Sequence, residues 1–174
     1  MEHLDHDTNN YWEQLERLEK LIRASELKAG VIFSFHSLIL GMFVNRIEKL
    51  ELIITSSTLI IGLSIAWILS IVFSIYFCFR CFRPNLELNY GDNVFFFRDA
   101  AYAFGSAKEY SKELIKVCTT NKEIVKQLSY QIHAESIIID KKFKSVQRAL
   151  KFFGLSVGFA ILILIIWLIQ VFVL

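Results

Sequence analysis

Proline is nearly absent from this chain: Pro84 stands alone among 174 residues. Segments on either side of it can therefore run as long helices, because nothing removes a backbone donor or clashes with the preceding turn. Only three cysteines occur, Cys78, Cys81 and Cys118, which excludes a secreted disulfide scaffold. Cys78 and Cys81 form a lone CxxC with no second pair to complete a zinc site. Glycine is scarce too, and no glycine-rich phosphate loop or paired-histidine zinc helix is present. His3-Leu-Asp-His6 reads as part of a frayed terminus. Ser25-Glu-Leu-Lys28 matches the SxxK acylation motif, but the SDN and KTG companions are missing. No catalytic constellation is assembled, and the expectation is a protein that is not an enzyme and needs no cofactor or metal.

What the chain does contain is apolar length. Three stretches, Ala29–Val44, Leu52–Phe79 and Phe152–Leu174, are dominated by aliphatic and aromatic residues. The second and third carry no charge and are long enough to cross the roughly 30 Å hydrocarbon core as helices. The first is near the lower limit and holds His36, read as a neutral interhelical hydrogen bonder or a proton or ion site. No signal peptide is read, since the first residues are polar and acidic and the first apolar stretch starts late.

The expected fold is all-α: three transmembrane helices with a cytoplasmic antiparallel helix pair. It divides into an amphipathic helix (1–28), a membrane hairpin (29–79), a sensor segment (80–151) and a third span (152–174). Residues 1–28 hold four basic and seven acidic side chains, and residues 80–151 hold thirteen and eight. The loop Asn45–Glu51 has only Arg46 and Lys49 as bases. The positive-inside rule then puts the N-terminus and residues 80–151 in the cytoplasm and the C-terminus outward. Bases clustered beside the membrane suit anionic lipid, and do not form a nucleic-acid footprint.

Trp12, Leu15, Leu18, Ile22 and Ala29 recur at helical spacing, capped by Asp7, Thr8 or Asn9. Arg83-Pro84-Asn85 ends the second span, and a loop follows to Gly91. A third helix is expected over Val94–Val117, capped by Asp92 or Asn93, with an apolar stripe through Phe96, Ala103, Phe104, Tyr110 and Val117. Thr119-Thr120-Asn121 makes the turn. The absence of proline beyond Lys122 predicts one unbroken helix into the membrane, roughly 75 Å long.

Small residues recur in the spans. Thr58, Gly62, Ala66, Ser70, Ser74 and Cys78 fall at every fourth position, Gly154 and Gly158 form a GxxxG, and Gly30, Ser34, Ser37 and Gly41 mark the first span. Small residues let backbones approach closely in lipid. Packing within one bundle and assembly into a homo-oligomer both follow, and the two are compatible.

At the middle segment the chain resembles the Pycsar effector family. The resemblance rests on elements in order: Glu26-Leu-Lys28-Ala29 before the first span, Arg83-Pro84 after the second, then Phe95-Phe96-Phe97-Arg98-Asp99. Glu109-Tyr110 follows, then Leu128 with Gln131-Ile132, then Lys142-Phe143 and Arg148-Ala149 before the last span. Together they cover about residues 20 to 160; Glu26 keeps the charge where the family more often has aspartate. The resemblance implies a small bacterial inner-membrane protein of antiphage defence. It would sense cyclic CMP or cyclic UMP from a neighbouring cyclase and impair the membrane, so that the infected cell stops growing or dies.

The residues permit such a ligand. Arg98, Lys108, Lys112, Lys141 and Lys142 can meet its phosphate. Phe95, Phe96, Phe97, Tyr110 or Phe143 can stack its base, and Gln131 and His133 can read the base edge. The favoured patch combines Arg98 and Lys142 with Phe96 and Tyr110. Against this stands a plainer reading of core aromatics and solvated bases, in which the protein is a membrane-anchored structural or adaptor protein whose cytoplasmic helices bind a partner. A membrane enzyme subunit is the third reading, and no motif supports it.

Overall fold

A computed structural model describes residues 8–55, 57–83 and 92–173. Expectations placed on residues 1–7, on Pro84 to Gly91 and on Leu174 lie outside the described residues. Within them the chain is all-helical: α1 Thr8–Asn45, α2 Ile47–Ile54, α3 Thr58–Phe82, α4 Phe97–Tyr102, α5 Ala107–Cys118 and α6 Asn121–Val173. Three of these, α1, α3 and α6, are long and apolar enough to cross a membrane.

Two compact units divide the residues. The polar unit comprises residues 8–24 and 92–140, and the membrane unit residues 25–83 and 141–173.

Burial follows a regular pattern on each long helix. On α1 the buried residues are Leu15, Leu18, Ser25, Ala29, Ile32 and His36. On α3 they include Ile60, Ser64, Trp67, Ile71, Ser74, Cys78 and Cys81. On α6 they include Leu128, Glu135, Ile139, Lys142, Val146, Ala149 and Ser156. On α3 these steps alternate four and three residues, and on α1 and α6 they are threes, fours and sevens, the 3.5-residue period of knobs-into-holes packing.

That period corrects the reading of one small-residue face at every fourth position of α3. A step of four residues turns a 3.6-residue helix about 40° too far, so the row winds off the interface within a few turns. Ser70, Ser74 and Cys78 are buried, Ala66 is half-buried, and Thr58 and Gly62 are exposed.

The membrane unit buries small and polar residues among larger apolar ones, and its outer surface is apolar. Ala29, Ile32, Cys78, Cys81, Val146 and Ala149 form a buried cluster with Phe33, Phe77 and Phe153 against it. The Ser74 hydroxyl donates to the Ala149 carbonyl at 2.9 Å, tying α3 to α6 where both residues are fully buried. Ile65, Leu69, Val72, Phe73, Ile161 and Leu164 are exposed, the distribution expected of a bundle solvated by lipid tails, which small interior residues let close.

Two expected elements are corrected. The loop Asn45–Glu51 and the start of the second stretch are instead helix α2, and the spanning helix α3 begins at Thr58. The Ser57 hydroxyl accepts from the Leu59 N–H at 3.3 Å and caps α3, while the Thr55 hydroxyl turns back to the Glu51 carbonyl at 2.7 Å. Hydroxyl side chains bond local backbone and so favour helix ends over helix interiors.

The single helix expected over Val94–Val117 is broken into α4 and α5. Gly105 has φ of 70°, and a Cβ there would meet Glu109 Oε2 at 2.8 Å. Ser106 then caps α5 in a reciprocal capping box with Glu109. Arg83 is extended (φ −61°, ψ 121°) and ends α3, the conformation expected before a proline.

Candidate functional site

The polar unit is knit around residues 93–96. Asn93 is buried, its Oδ1 accepts from the Phe95 N–H at 2.9 Å, and its Nδ2 donates to the Gln127 carbonyl at 2.8 Å. Asp99 Oδ2 accepts from the Asn93 N–H at 3.1 Å. Asn93 thus caps a turn, and the helix cap falls at Phe96. Trp12 meets Phe95 edge-on at 5.4 Å, which joins α1 to this segment.

Of the candidate ligand residues, Phe96, Arg98, Tyr110, Gln131 and His133 belong to the polar unit, and Lys141 and Lys142 to the membrane unit. Phe96 is buried, Arg98 and His133 are exposed, and Tyr110 and Gln131 are half-buried. The Tyr110 hydroxyl donates to the Val94 carbonyl at 3.1 Å, and its ring lies 5.7 Å from Phe104.

A cleft of about 400 Å³ opens beside this contact, lined by Val94, Phe104, Val117 and Gln127 and by Asp92, Glu109, Lys112 and Glu113. Such a volume lies within the range of small-ligand sites. Two of the three carboxylates are already engaged. The N–H and hydroxyl of Ser106 both donate to Glu109 and hold its carboxyl below the ordinary carboxylate value. Glu113 pairs with Lys116 at 2.7 Å.

Sequence reasoning overlooked Glu135, which is buried in the polar unit with only 8% exposure. Burial pushes its carboxyl above the ordinary value, a hydrogen bond from Gln131 Nε2 at 3.0 Å opposes this, and the Glu19 carboxylate of α1 adds to the rise. The folded unit therefore keeps this proton at a pH where the unfolded chain has lost it. Stability falls as pH rises from about 4.5 towards the folded value, because the unfolded state binds fewer protons. Glu135→Gln removes this penalty. The polar unit of the variant is expected to melt higher than wild type at pH 8 and at the same temperature at pH 4, read by circular dichroism in detergent micelles. An equal gain at both pH values would show that the carboxyl titrates normally.

In the membrane unit, Lys142 is almost fully buried. Its ammonium donates to Glu26 Oε1 at 2.8 Å and to the Cys81 carbonyl at 2.6 Å. Cys81 lies in the last turn of α3, where backbone carbonyls have no partner within the helix. One side chain of α6 thus pairs with α1 and caps α3. Nearby, Lys28 lies over the Phe143 ring at 5.9 Å, Arg148 over Phe77 at 5.6 Å, and the Ser25 carbonyl faces Cys81 Sγ at 3.8 Å. Lys141 is exposed.

Of the candidate packing residues, Ser70 is buried and donates to its own helix at Ala66. Gly62, Gly154 and Gly158 have open space where a Cβ would stand. His36 is fully buried with its ring 5.1 Å from Phe153, and neither ring nitrogen has a hydrogen-bond partner. The interhelical hydrogen bond expected of it is not formed.

These features define an integral membrane protein: three membrane-length helices, a polar helical unit with a ligand-sized cleft, and a charged tie linking the three long helices. No curated protein matches the chain, and no solved structure does. The model of the Pycsar effector protein domain matches residues 10–170. The chain belongs to the Pycsar effector family and is thereby an effector of antiphage defence.

The residues that carried the resemblance now have physical work. Glu26 and Lys142 pair, Ala29 and Ala149 are fully buried, and Glu109 closes the cap of α5.

Proposed function

We propose that this protein is a membrane effector gated by a cyclic pyrimidine nucleotide, cyclic CMP or cyclic UMP. The nucleotide binds the polar unit, and the membrane unit then impairs the bacterial inner membrane, causing growth arrest or death. No catalysis is involved. The observation that carries this reading is the family match over residues 10–170, which takes in both the membrane-length helices and the polar unit.

The cleft supports a ligand in the polar unit, with Phe104 as a ring surface, itself packed on Tyr110, and Lys112 as a cation for the phosphate. Arg98, His133 and Lys141 are exposed, where a soluble anion can reach them. The lysine and arginine imbalance supports a cytoplasmic N-terminus and polar unit, where a nucleotide made by a cyclase is met, and an outward C-terminus. Both α1 and α6 contribute residues to each unit, so a change in one is covalently tied to the other. Assembly of several chains is supported by the open space over Gly62, Gly154 and Gly158.

The test is co-expression in bacteria with a cyclase that makes cyclic CMP, one that makes cyclic UMP, or inactive forms of each. A potential-sensitive dye should report depolarisation only when the effector and an active cyclase are both present. Depolarisation that ignores cyclase activity, or none with either nucleotide, would overturn the proposal.

A further inference from the structure

From Leu52 to Pro84, and again from Lys141 to Leu174, the sequence holds no aspartate or glutamate. These segments carry α3 and the membrane part of α6. Between Ser25 and Asn45, α1 adds a single acid, Glu26, and Lys142 holds it. Arg80 of α3 and Arg148 of α6, both exposed, are thus left without a carboxylate in the membrane unit, among the described residues.

Arg148 sits at the head of an aromatic ladder. Its guanidinium lies over the Phe77 ring at 5.6 Å. Phe152 stacks on Phe77 at 5.7 Å with the planes 11° apart, and on Phe73 at 5.4 Å and 28°. The ladder reaches the surface of the unit: Phe73 is 48% exposed, and Phe77 and Phe152 are half-buried. Phe73, Phe77 and Arg80 follow steps of four and three and so share one face of α3. Helices α3 and α6 run antiparallel here, since Cys81 meets Lys142 and Ser74 meets Ala149. Each Cα–Cβ bond tilts toward its own helix N-terminus. Arg80 therefore leans into the membrane and Arg148 out of it, and the two converge near the level of Phe77.

Depth fits a lipid. Phe152 opens the uncharged stretch of α6, and Arg148 precedes it by one turn, roughly 6 Å. The headgroup layer outside the hydrocarbon is about 5–7 Å thick on each side. The arginines then stand at phosphate level, with the ladder beside the first carbons of the tails. Stacking on Phe77 uses the face of the Arg148 guanidinium and leaves its in-plane N–H donors to a phosphate.

We propose that this flank of α3 and α6 binds one anionic phospholipid, its phosphate between Arg148 and Arg80 and an acyl chain along Phe73, Phe77 and Phe152. Charge complementarity selects the occupant. A zwitterionic lipid brings a cation of its own to a place where Lys141 and Lys144 already continue the basic face of α6. An anionic headgroup brings none, and basic sites between membrane helices suit such headgroups. A free phosphate would leave the ladder uncovered. This site requires membrane insertion alone and stands apart from nucleotide gating.

The experiment is native mass spectrometry of the full chain from detergent micelles, titrated with phosphatidylglycerol or with phosphatidylcholine of the same acyl chains. The first phosphatidylglycerol is expected to bind about tenfold more tightly. Arg148→Gln should remove most of that preference, and Arg80→Gln serves if circular dichroism shows the first variant unfolded. Lys151 is two and a half turns from the buried Lys142 and so lies on the opposite side of α6. Lys151→Gln removes the same charge and should leave binding unchanged. Equal affinity for the two lipids, or full binding by both arginine variants, overturns the proposal. So does a loss in Lys151→Gln as large as in Arg148→Gln, which would mean a diffuse basic collar. Displacement of the lipid by millimolar inorganic phosphate would mean a site for free anions and overturns it too.

Discussion

Glu26→Ala is expected to cost the protein about 3–5 kcal/mol of stability, and Lys142→Met distinctly less. The asymmetry follows from where each charge sits. The Lys142 side chain is 8% exposed and that of Glu26 is 40% exposed. Removing Glu26 leaves an ammonium in a buried site with the Cys81 carbonyl and no counter-charge. Taking out Lys142 removes the buried charge altogether, leaving Glu26 to hydrate and the Cys81 carbonyl unmet, about 1–3 kcal/mol. The double variant should match Lys142→Met alone, since the penalty of the single Glu26 change is an orphaned ammonium that is no longer there. Equilibrium unfolding of the four proteins in mixed micelles closes the cycle. If Lys142→Met proves the costlier change, the carbonyl cap on α3 matters more than the ion pair.

His36→Leu should stabilise the membrane unit, by about 1–3 kcal/mol. A fully buried imidazole with neither nitrogen bonded forfeits the hydrogen bonds it would make in water, and leucine of similar reach keeps contact with Phe153 without that loss. The same unfolding measurement decides it. A loss of stability on substitution would mean that the imidazole finds a donor or acceptor outside the single chain, from a second copy or from water drawn into the bundle. An ionisable residue within a membrane segment is by default a candidate for function. The variant should accordingly be assayed for depolarisation alongside the wild type.

Much of the helical arrangement was legible because it is written in local chemistry. Uninterrupted apolar length sets the membrane helices, since a backbone in lipid must satisfy its own hydrogen bonds. Of the stripe Trp12, Leu15, Leu18, Ile22 and Ala29 that helical periodicity announces, Leu15, Leu18 and Ala29 are buried, Ile22 is half-buried and Trp12 is exposed. The break at Gly105 was equally local and was passed over: Ser106-Ala-Lys-Glu109 spells a capping box, a start signal inside what read as one helix. The α2 segment was misread because charged residues beside a span look like a loop, although Ile47, Leu50, Ile53 and Ile54 carry a helical stripe.

The candidate site was less legible. Phe96, Tyr110 and Gln131 were singled out by residue type, but how far each is buried depends on what packs around it. Gln131 and Glu135 lie one turn apart, yet spacing alone cannot distinguish a solvated face from a buried one. Glu135 is buried because α1 covers that face, and the covering residues lie more than a hundred positions away in the chain.

The sequence by itself determined that the chain enters a membrane, which segments do so, and that they are helices, because hydrophobic length and periodicity act residue by residue. Only the tertiary structure decided that Lys142 is a buried tie to Glu26, 116 positions away, rather than an exposed base. The same holds for Glu135 of α6, whose state is a property of the packed neighbours. Burial and partnership are non-local: they arise only when helices distant in sequence close around a side chain, and no period or composition encodes which ones will meet.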